Sequence, residues 1–383
     1  MKIVYFLGSF YPAQCGGPNN TIFWQAKELV RNGVDVTVVT TDFGLSKEHI
    51  KQYSIDIDGL SDIDGVKVYF CKSYRSSVLS YKVILKFYKM LKDSSFVNIT
   101  SFFYLPSMVA ALCSRVKNIP FTFSPRGELE PNALVYNWPQ KRIYMAIFQR
   151  VFNKSDFVMV TSEQERDFVK KHFVGKPIEV VPNYLPMGGW NRIERVDLDL
   201  RVGVLYLGRL HPKKAIEKLI EAYSNLADVV REKHPLIIAG IGENSYVLSL
   251  QKLCEKLKVS DHVSFLGEVV GEEKEKLYRS SKVLVLPSYS ENFGNVVVEA
   301  LRNSLPVIAS KHTPWQRLIQ VGAGYWIDND IRSIEESLVD IDRMDGDKYY
   351  RMSKKAFELA QNEYSLEKNI QKLISIYQKY MHT

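Results

Sequence analysis

Three consecutive stretches near the start of the chain restrict what it can fold into. "KIVYFLG" (2–8) is a short apolar run rich in strand formers. "NTIFWQAKELVRNG" (20–33) carries apolar residues at helical spacing and stops at Gly33. "VDVTVVTTD" (34–42) is a second strand-like run. Parallel neighbours cannot be joined by a tight turn, so a strand–helix–strand order at this spacing is the βαβ unit of a parallel, doubly wound sheet. Further strands are expected at "VKVYF" (66–70), "PFTFS" (120–124), "FVMVTS" (157–162) and "IEVVPN" (178–183). The polar stretch 44–65 is expected to be a loop with little regular structure.

The pattern then restarts. "RVGVLYLGRL" (201–210) is a strand ending in a Gly-Arg turn, and "AIEKLIEAYSNL" (215–226) a helix. "PLIIAGIG" (235–242), "VSFLGEV" (263–269), "VLVLPS" (283–288) and "PVIAS" (306–310) are four more apolar strands with helical patterns between them. A chain of 383 residues exceeds one ordinary core. The expectation is α/β, with two doubly wound domains facing a cleft and joined by a polar connector near 186–200. The boundaries expected are 1–185 for the first domain and 200–365 for the second. The amphipathic helix at 366–383 is expected to return to the first.

Charge is unevenly spread. Of the net +8, residues 66–155 contribute most, with 14 Lys/Arg against three Asp/Glu. A patch of this kind suits an anionic partner. Two stretches mix cations with apolar groups as membrane-surface helices do. Residues 76–93 set Lys82, Lys86 and Lys89 beside Val83, Leu85, Phe87 and Leu91, and residues 137–154 set Trp138, Tyr144 and Phe148 among Lys141, Arg142 and Arg150. No apolar run reaches a membrane span. The start of the chain resembles a signal peptide only over a few residues before Gly8 and Pro12. Cys15, Cys71, Cys113 and Cys254 lack metal-like or disulfide-like spacing. Reduced thiols in a cytoplasmic protein, held peripherally on the inner membrane face, are the expectation.

Ligands of open α/β sheets sit beyond the carboxyl ends of the strands, and the candidate residues fall there. Gly16 and Gly17 end loop 8–17 directly before a helix, where backbone can approach a phosphate or sugar. "GRLHPKKA" follows the 204–207 strand and offers Arg209 and Lys214, a bidentate fork and a point charge suited to a diphosphate. In "SYSENFGNVVVEALRN", Glu291 lies in a loop and Glu299 in the helix that opens near Asn295. Eight residues of helix rise ~12 Å, wider than the roughly 5–9.5 Å between the carboxylates of a glycosidase. The pair is better suited to hydroxyl groups at opposite ends of one long ligand, with a diphosphate at the helix start between them. Asp-x-Asp triplets recur in several polar stretches and the seven histidines have no ligand spacing; no metal is expected.

"ENFGNVVVE" resembles the E-x7-E motif of retaining glycosyltransferase family 4, whose fold is GT-B: two Rossmann-like domains. "VLYLGRLHPKKAIEKLIEA" is similar to that family's phosphate-binding turn, "PLIIAGIGE" and "VSFLGEV" to its following strands, and "VPNYLP" to its interdomain connector. The resemblance implies a donor site of Gly16, Gly17, Arg209, Lys214, Gly267, Val269, Glu291, Asn292, Phe293, Gly294, Asn295 and Glu299. In it Glu291 holds sugar hydroxyls, Glu299 the ribose, and Arg209 and Lys214 the diphosphate, while the backbone from Gly267 to Val269 faces the base. Arg209, Lys214 and Glu291 are the catalytic set. Two departures stand out. Ala215 replaces a usual glycine, a mild change if its φ is negative. "SPRGELEP" lacks the histidine that many members carry and resembles a subgroup with S-P-R-G, which makes Arg126 and Glu128 acceptor-binding candidates.

The expectation is therefore a retaining, metal-independent glycosyltransferase without a cofactor. It would move sugar from a UDP- or GDP-linked donor to a saccharide acceptor, lipid-linked, in surface polysaccharide biosynthesis. An anionic membrane surface is a candidate partner and nucleic acid is not. A nucleotide-sugar epimerase of the same fold would need acid–base side chains around the sugar, and a basic nucleic-acid binder would leave the second domain without a purpose.

Overall fold

The computed structural model describes residues 1–13, 17–74, 78–135, 138–188 and 200–381. The chain divides into two compact units, Met1–Pro186 with Leu366–Thr383 and Met187–Ser365. Each is an α/β layer structure around its own mostly parallel sheet.

The first unit holds eight strands: β1 (Lys2–Phe6), β2 (Asp35–Thr41), β3 (Ser61–Ile63), β4 (Val66–Cys71), β5 (Phe96–Thr100), β6 (Phe121–Ser124), β7 (Phe157–Val160) and β8 (Ile178–Val180). Their order is β3-β4-β2-β1-β5-β6-β7-β8, parallel except for β3 against β4. β1, β5, β6 and β7 are buried along almost their whole length, the mark of strands covered on both faces. β5 escapes the sequence pattern because Asn98 interrupts the apolar run "FVNIT". That amide is buried and donates to the Tyr377 hydroxyl at 2.7 Å, which in turn shares a 2.8 Å bond with the Tyr5 hydroxyl. A polar group in a central strand is tolerated because it is satisfied.

Residues 44–65 are more ordered than their polarity suggests. Ser46 caps a short helix, Lys47–Gln52, in a reciprocal capping box with His49, and β3 folds back on β4 through Asp64-Gly65. Capping and a local turn need no apolar residues, so hydropathy does not reveal them.

The helix Leu366–Met381 belongs to the first unit. Leu366, Ile370, Leu373, Ile374, Tyr377 and Tyr380 enter the core containing β1, β2 and the helix Gly17–Arg31. Their spacing of roughly three and four residues is the apolar stripe of a one-sided helix.

The two basic amphipathic stretches are only partly surface. Val83, Phe87 and Leu91 from the first, and Phe148 from the second, are core residues under the sheet. Sequence period alone does not tell a core stripe from a membrane-facing one. What remains exposed is Tyr81, Leu85 and Tyr88 on the helix Tyr81–Met90, and Ile143, Tyr144 and Ile147 on the helix Trp138–Phe152. The side chain of Trp138 lies outside the described residues.

The second unit is a six-stranded parallel sheet, β11-β10-β9-β12-β13-β14. The strands are β9 (Val204–Leu207), β10 (Leu236–Ala239), β11 (Val263–Gly267), β12 (Val283–Leu286), β13 (Val307–Ser310) and β14 (Gly324–Ile327). β14 was not expected; it is four residues long and opens on a glycine. The carboxyl ends of β9, β10 and β11 are drawn together. Gly208 N–H donates to the Ala239 carbonyl at 3.0 Å, and Gly240 N–H to the Gly267 carbonyl at 2.6 Å. A Cβ on Gly240 would sit 1.8 Å from the Gly208 carbonyl oxygen, so only glycine permits this approach.

Candidate functional site

In the second unit the loops after β9 and β12 meet. β9 runs through Gly208 into Arg209 and a 3₁₀ turn, Pro212–Lys214. β12 leads into the 287–294 loop and then the helix Asn295–Arg302. Tyr289 N–H donates to the Lys213 carbonyl at 2.9 Å and ties the two loops together. Lys214 and Glu291, 77 positions apart, form an ion pair through Nζ and Oε1, and both side chains are largely buried. Ser288 Oγ donates to the same Oε1 at 2.7 Å, while Ser310 Oγ donates to the Ser288 carbonyl at 2.6 Å. Glu291 is thus aimed by two neighbours acting on one oxygen. The exposed Arg209 guanidinium has no ion-pair partner among the described residues.

Ala215 has φ +52°, in the left-handed region. Placing a Cβ there costs roughly 1–2 kcal/mol, so its exchange for the usual glycine is not the mild change expected for negative φ. The fold retains the turn because it sets Lys214 beside Glu291 and starts the helix Ile216–Ser224.

Gly294, with φ +84°, turns the chain into the helix Asn295–Arg302. The first-turn N–H groups and positive dipole end of that helix favour an anion. Phe293 is buried: its ring meets Trp315 edge-on at 5.2 Å and its carbonyl accepts from the Trp315 indole N–H at 2.5 Å. Phe293 therefore fixes the loop from below. Asn292 and Asn295 flank this turn.

Glu299 is buried in the same helix. Tyr278 Oη donates to its Oε2 at 2.7 Å, and Lys274 Nζ lies 2.7 Å from the same oxygen. Burial pushes the carboxyl upward, but the Lys274 ammonium and the Tyr278 hydroxyl outweigh it and hold the group below its ordinary range. Lys274 and Tyr278 were not singled out in the sequence. Their only signal was a four-residue spacing on the helix Gly271–Ser280, which many surface helices share. Near this helix Gly267 is exposed at the end of β11 and Val269 is buried.

Arg209, Lys214, Gly267, Val269, Glu291, Asn292, Phe293, Gly294, Asn295 and Glu299 thus all belong to the second unit, in or just beyond the ends of β9, β11 and β12. Gly17, Arg126 and Glu128 belong to the first, and Gly16 lies outside the described residues. Gly17 is the exposed first residue of its helix. Arg126 and Glu128 have internal duties. Arg126 (φ +51°) donates to Asn183 Oδ1 at 2.7 Å, and burial pushes the pKa of its guanidinium down. Glu128 accepts from Ser101 Oγ at 2.6 Å, from Phe103 N–H at 2.9 Å and from Phe102 N–H, while burial raises its pKa. The adjacent Gly127 N–H donates at 2.6 Å to Glu165, which also takes Thr161 N–H and Oγ. The SPRGELEP turn is held by buried carboxylates on both sides. Among the described residues no three His, Cys, Asp or Glu side chains cluster as metal ligands, and no helix is long and apolar enough to cross a membrane.

The chain is similar to known glycosyltransferases along most of its length. Residues 200–359 match the family described as glycosyl transferases group 1, and residues 15–186 that described as glycosyltransferase family 4. An uncharacterized glycosyltransferase of Methanocaldococcus jannaschii is 26% identical over 81% of this chain and 80% of its own. The O-antigen chain mannosyltransferase B of Escherichia coli is 32% identical over 35% of each chain. The structure of Anabaena HepE in complex with UDP superposes with a TM-score of 0.77 at 18% identity, covering 99% of this chain and 100% of that one. The likeness is one of GT-B fold: two Rossmann-like α/β domains.

Proposed function

The chain belongs to glycosyltransferase family 4, and on that premise we propose that it is a retaining, metal-independent enzyme using a UDP- or GDP-linked sugar. The observation that carries this reading is the Lys214–Glu291 pair beside Arg209, next to a helix start that favours anions. Arg209, Lys214 and the helix start supply positive charge for the leaving diphosphate. Glu291, with one oxygen taken by Lys214 and Ser288, turns the other to sugar hydroxyls, and Glu299 takes the ribose. The acceptor hydroxyl attacks the anomeric carbon from the side the diphosphate leaves. Its oxygen–carbon bond forms as the carbon–phosphate-oxygen bond breaks, and the proton passes to a diphosphate oxygen. No protein nucleophile is needed and electrostatic stabilisation does the catalysis. The bound UDP of the HepE structure supports a nucleotide-linked donor.

Product analysis tests the reading. Free nucleoside diphosphate should appear only with acceptor present, the anomeric configuration should be unchanged by NMR, and a chelator should leave the rate unaltered. An inverted product, or turnover to an epimerised nucleotide sugar without acceptor, refutes it.

The acceptor we propose is a lipid-linked saccharide of surface polysaccharide synthesis, reached by docking the first unit on the anionic inner membrane face, with Arg126 and Glu128 shaping the acceptor side. The E. coli relative's O-antigen role supports the acceptor class. Support for docking is the exposed Ile143, Tyr144 and Ile147 flanked by the exposed Arg142 and Arg150, apolar groups for the headgroup boundary and cations for anionic lipid. Sedimentation with anionic vesicles should show binding that fades from low to moderate salt and drops at least about fivefold in Ile143→Ser/Ile147→Ser. Wild-type protein left in the supernatant at low salt would rule docking out.

A further inference from the structure

Beside the helix Tyr81–Met90 lies a cavity of about 210 Å³, lined by Asp58, Cys71, Lys82, Leu85, Lys86 and Lys89. Cys71, which ends β4, places it at the carboxyl end of that strand. Lys82, Lys86 and Lys89 stand four and three residues apart, so one helix face turns three ammonium groups to the same space. Two of them are held there. Lys82 Nζ lies 2.5 Å from Asp58 Oδ2, and Asp58 Oδ1 is fixed by the Lys72 N–H at 2.9 Å. Lys86 Nζ sits 4.2 Å from the centre of the Tyr69 ring. Lys89 is exposed and has no carboxylate partner among the described residues. Val83 and Phe87 on the opposite face anchor the helix in the core, so the lysine stems cannot relax by helix rotation.

The local balance is three cations against one carboxylate, or +2. A phosphate monoester carries about −1.5 to −2 at pH 7, with three strong acceptor oxygens. Leu85, exposed at the rim, would meet an apolar or carbon-bearing neighbour of that phosphate.

We propose that this groove is a binding site for a phosphate-bearing group, one oxygen set reaching Lys86 and Lys89 while Lys82 is shared with Asp58. The phosphate could be that of a lipid headgroup or of a soluble phosphate ester, the recognising chemistry being the same. The site deepens the anionic-surface reading of the first unit and is independent of the donor chemistry of the second.

Residue-resolved lysine acylation, read by mass spectrometry on the full chain, tests it. Each lysine reports separately, so phosphate bound near Lys214 is not mistaken for phosphate in the groove. The probes are glycerol 3-phosphate, short-chain phosphatidic acid (a lipid phosphate monoester) below its micelle concentration, and sodium chloride at matched ionic strength. The expected result is at least about threefold slower labelling of Lys86 and Lys89 with a phosphate probe, with Lys47 and Lys154 unchanged as controls. Protection by glycerol phosphate assigns a soluble ester or the phosphate alone. Protection by the lipid only assigns a headgroup. Protection by neither, or by sodium chloride equally, overturns the site. In Lys89→Gln the protection of Lys86 should fall toward that of the controls; full protection there also overturns it. Because no vesicle is present, failure of membrane docking and failure of the groove are read apart.

Discussion

Arg209→Ala should lower kcat by about 10²-fold or more while leaving donor KM within a few-fold. The reason is where charge develops. Diphosphate charge grows as the glycosidic bond breaks, so a cation aimed at it acts mainly in the transition state. The structure makes this variant a clean one: the guanidinium has no ion-pair partner among the described residues, so its loss strands no carboxylate. Lys214→Ala should also lower kcat more than it raises KM, but it removes the counter-charge of the largely buried Glu291 and so costs some stability as well. Initial rates of nucleoside diphosphate release at varied donor concentration decide the matter. If KM rises and kcat stays put for both variants, the two cations only bind, and the charge-stabilisation mechanism is wrong.

The second large effect separates the two glutamates. Glu299→Gln should weaken both the intact sugar nucleotide and the bare nucleoside diphosphate by about tenfold or more, ~1.4 kcal/mol, because its assigned partner, the ribose, is common to both. Glu291→Gln should weaken only the intact donor, since the sugar is missing from the diphosphate. Their surroundings already differ: Glu291 answers to Lys214 and Ser288, Glu299 to Lys274 and Tyr278. Calorimetry with the two ligands is the measurement. Equal losses for both variants on both ligands would remove the assignment of sugar to one carboxylate and ribose to the other. Tyr278→Phe serves as a control, because it keeps the charge of Glu299 and removes one of the bonds that aim it.

The chain's alternation of apolar runs with helical patterns is enough to specify α/β with parallel sheets, because side-chain period and strand-to-helix spacing are local properties. The same is true of the glycine turn in "ENFGNVVVE", where Gly294 adopts the positive φ that such a turn demands, whereas after "GRLHPKK" the left-handed position falls on Ala215, which no local pattern marks. Local pattern fails where a residue's role depends on a distant partner. Asn98 is a strand residue because Tyr377, nearly three hundred positions later, satisfies its amide. Val83, Phe87, Leu91 and Phe148 have the spacing of a membrane-facing stripe, yet packing under the sheet makes them core. Lys274 and Tyr278 look like ordinary helix surface until the fold sets them against Glu299, and Arg126 becomes a partner of Asn183 only when the connector returns to it. Buried polar groups must be paired, but which group pairs with which is settled by chain closure over tens to hundreds of residues, and a linear pattern carries no record of that distance.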